Sequence, residues 1–437
     1  MIDGQAKIGP FLAMMVVAGG MIGSGVYLLP ASLAAFGSIS ILGWLLAILG
    51  SALLAGVYSA LAILRPGEAG LFSHIQDALG PGVGFVAGLL YWFPVASVPI
   101  ALALTGYLSF FIPSVASGTA STLTTLAVIW LLLGVNYVGP KFVSRFSGWT
   151  LFIGLAPILL VAIGGWFFFK PTVFAASWNV TGRGALAVVP ASAVQAFWAL
   201  VGLEYAAIVA PMVRDPTRNV PIATFGGLGI AAVVYLSASA AIMGLLPASV
   251  LVKSNAPFAD AARPWIGAGI AAVIALCAML KAAGALGSSN LALMEAGECE
   301  AVSGHLFPGR PPRTTVRPPA ISFIIFGVIM SAAVILSASP LLSRQFTMVT
   351  NVIVVIETLV YLCACLALIR FCRLAPKAWR WGLRLTAAGG AIFCVAIIAA
   401  SERDLLIWSA AAVAIAAGIY HGALLRRRSV SPATPRP

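Results

Sequence analysis

Three ionisable side chains lie deep inside apolar runs of this 437-residue chain, Glu204, Lys281 and Glu357, with Glu295 nearer the end of such a run. An ionisable group in hydrocarbon is expensive and faces a cavity or a partner, so each marks a place where charge is handled. Glu204 ends the segment Phe197-Trp198-Ala199-Leu200-Val201-Gly202-Leu203-Glu204, which brings an indole, a glycine and a carboxylate to the middle of one run. A second irregularity, Met21-Ile22-Gly23-Ser24-Gly25-Val26-Tyr27-Leu28-Leu29-Pro30, interrupts the first apolar run. Lipid tolerates unpaired backbone groups only where they line a polar cavity, so both segments predict a helix split into two halves around a bound ligand. A half-helix N-terminus offers N–H donors and positive potential to a carboxylate, and unwound carbonyls accept from an ammonium. The expected chemistry is reversible binding of a small charged solute.

The elements that must position these groups follow from composition. With 61% hydrophobic and 8% charged residues the chain is an integral membrane protein, since soluble domains carry about a quarter charged residues. Runs long enough to cross about 30 Å of hydrocarbon predict twelve helical spans, roughly 8–33, 39–64, 83–112, 121–139, 147–169, 186–212, 220–247, 267–297, 318–338, 345–370, 382–400 and 404–425. The first run is too long for a signal-peptide core and is expected to be retained. With both termini inside, eighteen of the 25 lysines and arginines fall on the cytoplasmic side and six outside; the one left over is Lys281, within span eight. That asymmetry sets the orientation and accounts for most of the +13 charge, so no nucleic-acid partner is needed to explain it. Spans one and six hold the two breaks, the positions that correspond in a five-plus-five inverted repeat.

At these residues the chain resembles the amino acid-polyamine-organocation superfamily, and within it the bacterial basic amino acid/polyamine antiporters, arginine/agmatine exchangers in particular. The likeness covers most of the chain. It is carried by residues 23–30, Tyr91-Trp92, Asn136 to Lys141, Ala176 to Val180, Trp198 to Glu204, Asp215 to Thr224 and Ala256 to Arg263. The resemblance implies a leucine-transporter-like all-α fold with discontinuous helices 1 and 6. It divides the chain into a first repeat at 1–170, a second at 171–371 and two further helices at 372–425, while the basic, Pro/Ser-rich composition of 426–437 predicts a disordered tail near anionic lipid. It further implies that Met21, Ser24 and Gly25 bind the α-carboxylate and α-amino groups, and that Tyr91, Val201 and Asn351 line the pocket. Trp198 would close over the substrate, an indole face suiting a cationic or aliphatic side chain, while Glu204 would couple exchange to pH.

Departures from the resemblance concern the substrate. Pro99 replaces an asparagine, Pro94 a small residue, Asn351 a serine and Gly20 an asparagine, and Ala292 or Asn290 stands where a gating tryptophan is expected. A pocket without those donors has little reason to select arginine. Lys281, Ser288, Ala292 and Glu295 fall within about 40° of one helical face at 100° per residue. Lys281 is expected to be a counter-charge to Glu204 or Glu357, since charges in spans usually pair; replacing a cation or meeting an acidic substrate are alternatives. Coupling and gating are thus assigned to Glu204, Lys281 and Glu357.

The six cysteines and three histidines show no metal-ligand or nucleophile spacing, so neither metal, cofactor nor enzymatic chemistry is expected. No nucleotide-binding loop argues for an ATP-driven pump. The expectation is a secondary transporter in a cell inner membrane, exchanging amino acids or amines by alternating access, with a homodimer as a possible assembly. A proton-coupled carrier of neutral or acidic amino acids, or a non-transporting sensor, are the alternatives.

Overall fold

The computed structural model describes residues 8–65, 71–91, 93–205, 213–297 and 320–430, so Trp92, the loop arginines 310–317 and the last seven residues lie outside it. Among the described residues nine helices are long and apolar enough to cross a membrane, and three shorter apolar helices accompany them: Pro10–Met21, Ala185–Leu200 and Ile321–Leu336. Two of the short ones are the spans expected to be broken.

The elements are α1 (Pro10–Met21), α2 (Leu29–Leu33), α3 (Ser40–Leu64), α4 (Leu71–Leu79), α5 (Pro81–Tyr91), α6 (Val98–Ser109), α7 (Gly118–Val138) and α8 (Pro140–Leu159). They continue with α9 (Pro171–Ala176), α10 (Ala185–Phe197), α11 (Pro216–Leu245), α12 (Ala248–Leu251) and α13 (Pro257–Gly297). The last four are α14 (Ala320–Leu336), α15 (Leu342–Phe371), α16 (Lys377–Ala400) and α17 (Arg403–Val430). Pro10, Pro140, Pro216 and Pro257 each open a helix, where a missing N–H removes no intrahelical bond.

Three boundaries differ from expectation. Span three, read as continuous, stops at Tyr91 and resumes through a 3₁₀ turn at Pro94–Ser97, because Pro94 has no N–H to offer the preceding turn. Helix α13 begins ten residues before span eight and kinks at Gly267, whose φ of 83° marks the start of the expected span. At the C-terminus α17 runs through Val430, so Arg426 to Val430 continue a helix rather than a disordered tail; leucine and arginine are good helix formers.

Packing centres on the two broken spans. Helix α1 packs on α11 and α10 packs on α3, while α3 and α11 pack on each other. Around them α13 packs on α8 and α6, α15 on α3, α5 and α6, and α14 on α7. In lipid such contacts depend on close backbone approach rather than on hydrophobic burial. A Cβ on Gly43 of α3 would come within 2.9 Å of the Ala193 backbone nitrogen on α10, and one on Gly227 of α11 within 3.0 Å of the Ala18 nitrogen on α1. Tyr27, fully buried behind the first break, donates its hydroxyl to the Gly154 carbonyl of α8, and its own carbonyl accepts from Tyr107 of α6 at 3.2 Å.

Several segments that carried the resemblance are structural ties. Ser38 and Ile39 N–H donate to the Ser177 and Trp178 carbonyls at 2.8 and 2.7 Å, strapping the 176–180 segment across the turn between α2 and α3. Asn136 donates to the Gly287 carbonyl at 3.0 Å, joining α7 to α13. Asn219 donates to the Arg214 carbonyl, while the Arg214 N–H donates to Ile8 at 2.9 Å and anchors the approach to α1. The strap depends on Gly37, whose φ is 87° and whose absent Cβ would come 2.9 Å from the Trp178 carbonyl oxygen. Gly37→Ala should therefore destabilise the fold by about 1–3 kcal/mol. A lowered thermal midpoint in detergent is the expected result, and a wild-type midpoint would remove the strap from the account.

Candidate functional site

The first break lies at Ile22-Gly23, within the interrupted segment Met21 to Pro30. Helix α1 ends at Met21, Ile22 has ψ 64°, Gly23 is extended at φ −81°, ψ 178°, and Ser24–Tyr27 form a 3₁₀ turn leading to α2. Gly23 donates its N–H to the Met21 carbonyl and so closes the first half-helix. Ser24 and Gly25 therefore begin the second half, where the leading amides lack intrahelical partners. Their side chains lie outside the described residues. Met21 is buried, and its carbonyl also accepts from the Tyr235 hydroxyl of α11 at 2.7 Å.

The second break is built alike. Helix α10 gives way to a 3₁₀ turn at Trp198–Leu200, Val201 is extended at ψ 139°, and Gly202 has φ 107°, a value that favours glycine. The two breaks meet, since a Cβ on Gly202 would come within 3.6 Å of the Gly20 carbonyl carbon. Tyr205 fills the remaining gap, its ring 2.9 Å from where a Gly20 Cβ would stand. Gly20 is thus required by contact with the sixth span. Trp198 and Val201 are half-buried beside this junction.

Glu204, two residues beyond Gly202, is fully buried. One carboxylate oxygen accepts from the Tyr91 hydroxyl on α5; the other accepts from the Tyr361 hydroxyl on α15 at 2.8 Å and from the Gly202 N–H at 3.2 Å. A buried carboxylate is tolerated only when its lone pairs are satisfied, and here three donors from three places do so. Tyr361 was not singled out in the sequence. The signal was its position one helical turn beyond Glu357, on the same face of α15. Phe197 and Tyr58 lie edge-on to its ring at 6.0 and 5.6 Å.

The other candidates are placed differently. Lys281 is buried, but its stem lies over Gly154 of α8, in the space a Cβ would occupy, and it forms no ion pair among the described residues. The expected pairing with Glu204 or Glu357 is therefore not formed, because the lysine is directed onto α8. Glu357 is buried with its Oε2 unpartnered, Asn351 is half-buried with an unpartnered Oδ1, and Asn290 is fully buried with neither amide atom bonded. The side chains of Pro94, Ala292 and Glu295 lie outside the described residues. No group of three or more His, Cys, Asp or Glu side chains fit for a metal occurs among those described.

The arrangement can hold a solute where two interrupted helices face each other, beside a hydrogen-bonded carboxylate that ties three spans. Comparison with known proteins agrees in kind. Residues 8–415 match the profile of the amino acid permease family. The chain is 33% identical over 410 residues to the cadaverine/lysine antiporter of Escherichia coli K12, covering 91% of each. It is 30% identical over 352 residues to the putrescine transporter PotE of the same strain, covering 80% of each, and 27% identical over 409 residues to PotE of Haemophilus influenzae, covering 92% of this chain and 94% of that one.

The hub yields a paired prediction. Tyr361→Phe leaves a carboxylate oxygen short of a donor and should cost about 1.5–3 kcal/mol. Tyr58→Phe removes a hydroxyl that has no partner and should be close to neutral. Thermal unfolding of both variants in detergent checks this, and equal losses would remove Tyr361 from the hub.

Proposed function

The chain belongs to the amino acid permease family, and on that premise we propose that it exchanges a basic amino acid for a linear amine across a cytoplasmic membrane by alternating access. It is a multi-pass membrane transporter and not an enzyme. The observation that carries the exchange reading is the junction of two broken helices with Glu204 bonded to three spans at once. A carboxylate held by donors on separate moving parts can change partners, or take up a proton, as those parts separate. In this cycle Met21, Ser24 and Gly25 fix the α-carboxylate and α-amino groups, Trp198 closes over the solute, and Glu204 re-forms its bonds with each swing.

We place twelve spans in the membrane, the first ten as two inverted repeats within residues 1–170 and 171–371, both termini cytoplasmic. Support comes from packing. If spans one to five are exchanged with six to ten, the α1–α11 contact becomes α10–α3, and the α8–α13 contact becomes the contact of α15 with α5 and α6. The charge asymmetry of the loops supports the orientation. The substrate class rests on the relatives, a cadaverine/lysine antiporter and putrescine transporters, and on the missing donors that arginine would need.

The test is uptake of labelled lysine, ornithine, arginine, leucine and glutamate into proteoliposomes with and without unlabelled amino acids or diamines inside. Flux of a basic amino acid only with a loaded trans-substrate is expected. Concentrative uptake into empty vesicles driven by a proton gradient would instead make the chain a symporter. Glu204→Gln should flatten the pH dependence of exchange while leaving substrate binding measurable. An unaltered pH profile would take coupling away from Glu204.

A further inference from the structure

Glu357 and Glu204 sit in opposite situations although α15 links them. Glu204 has three donors, one of them Tyr361, a single turn or about 6 Å along α15 from Glu357. Glu357 is 4% exposed and its Oε2 has no hydrogen-bond partner. It lines a small cavity with Leu90, Phe93, Val95, Ala96, Ile353 and Ile356, so every other side chain there is apolar. The cavity opens where span three is interrupted, with Phe93 extended ahead of Pro94. No cation of the described chain serves it, for Lys281 is directed onto α8 and the ion pair that the described residues do form, Arg65 with Asp77, is elsewhere.

A carboxylate in an apolar box is costly to keep charged, and that cost is offset when a ligand brings a cation to it. The walls suit methylenes and the carboxylate suits an ammonium. We propose that Glu357 receives the distal ammonium of a linear diamine or diamino acid, whose methylene chain lies along the span-three break while its other end occupies the first helix break. The assignment rests on the exchange reading above and names the group that selects its substrates. A solute lacking the second ammonium leaves Glu357 unpaired on entering, which is how a buried polar group discriminates most strongly. This division leaves Glu204 to tie the spans and Glu357 to read the solute.

The test uses full-length protein in proteoliposomes, with labelled lysine exchange inhibited by 1,5-diaminopentane or 1-aminopentane. In the wild type the diamine is expected to inhibit at a concentration at least tenfold below the monoamine. Glu357→Gln should raise the KM for lysine and the inhibitory concentration of the diamine about tenfold or more, and leave inhibition by 1-aminopentane and norleucine within twofold. Equal effects on both classes, or none on either, overturn the assignment. If the variant does not insert, the wild-type comparison decides alone, a diamine-to-monoamine ratio near one being sufficient to overturn it. Wild-type protein that exchanges neither lysine nor any diamine defeats the exchange reading itself; lysine exchange with an unchanged KM in Glu357→Gln defeats only the role of Glu357.

Discussion

A carboxylate in the middle of a bilayer has to find its donors inside the protein, and the bonds of Glu204 are the constraint around which the rest is arranged. Tyr91 brings the third span, Tyr361 the tenth, and Gly202 the unwound backbone of the sixth. Each donor holds its helix at a fixed distance from the sixth-span break. That break in turn lies against the first at Gly20 and Gly202. Removing water from around a charge thus has a geometrical consequence, since four spans must meet at one point.

Local chain chemistry makes this meeting possible. Glycines at 43 and 227 let backbones approach where a methyl group would not fit, and those at 20 and 202 leave room for the Tyr205 ring between the two breaks. Gly202 also adopts a φ of 107°, which turns the chain so that its N–H reaches the carboxylate two residues on. Tyr27 and Tyr235 then tie the two sides of the first break to α8 and α11, so that the break is held open at both ends by hydroxyl-to-carbonyl bonds. An interrupted helix held in this way has its irregular backbone buried in protein, which a membrane tolerates as it does backbone lining a polar cavity.

Much of the fold was legible because the bilayer imposes length and apolarity on every span. The first break showed itself through Gly23-Ser24-Gly25 and the second through Gly202 beside Glu204, residues with no reason to sit in an ordinary membrane helix. The break in span three did not, although Pro94 and Pro99 stood in plain view, because prolines in a span can also be absorbed by kinks. The continuation of α17 to Val430 was missed for the opposite reason: the arginines were read as a charged tail, whereas they favour helix.

The sequence by itself determined that the chain crosses a membrane many times, where two helices break and that Glu204, Lys281 and Glu357 are buried. These follow from composition and local propensity, which act along the chain. Only the tertiary structure decided what each buried charge faces. Lys281 and Glu357 looked like partners, yet one lies on Gly154 and the other in an apolar cavity by Phe93. The direction of a side chain depends on which helix packs beside it and at what rotation, and that is set by contacts between residues far apart in sequence. Glu204 found its donors at Tyr91 and Tyr361, 113 and 157 residues away, for the same reason.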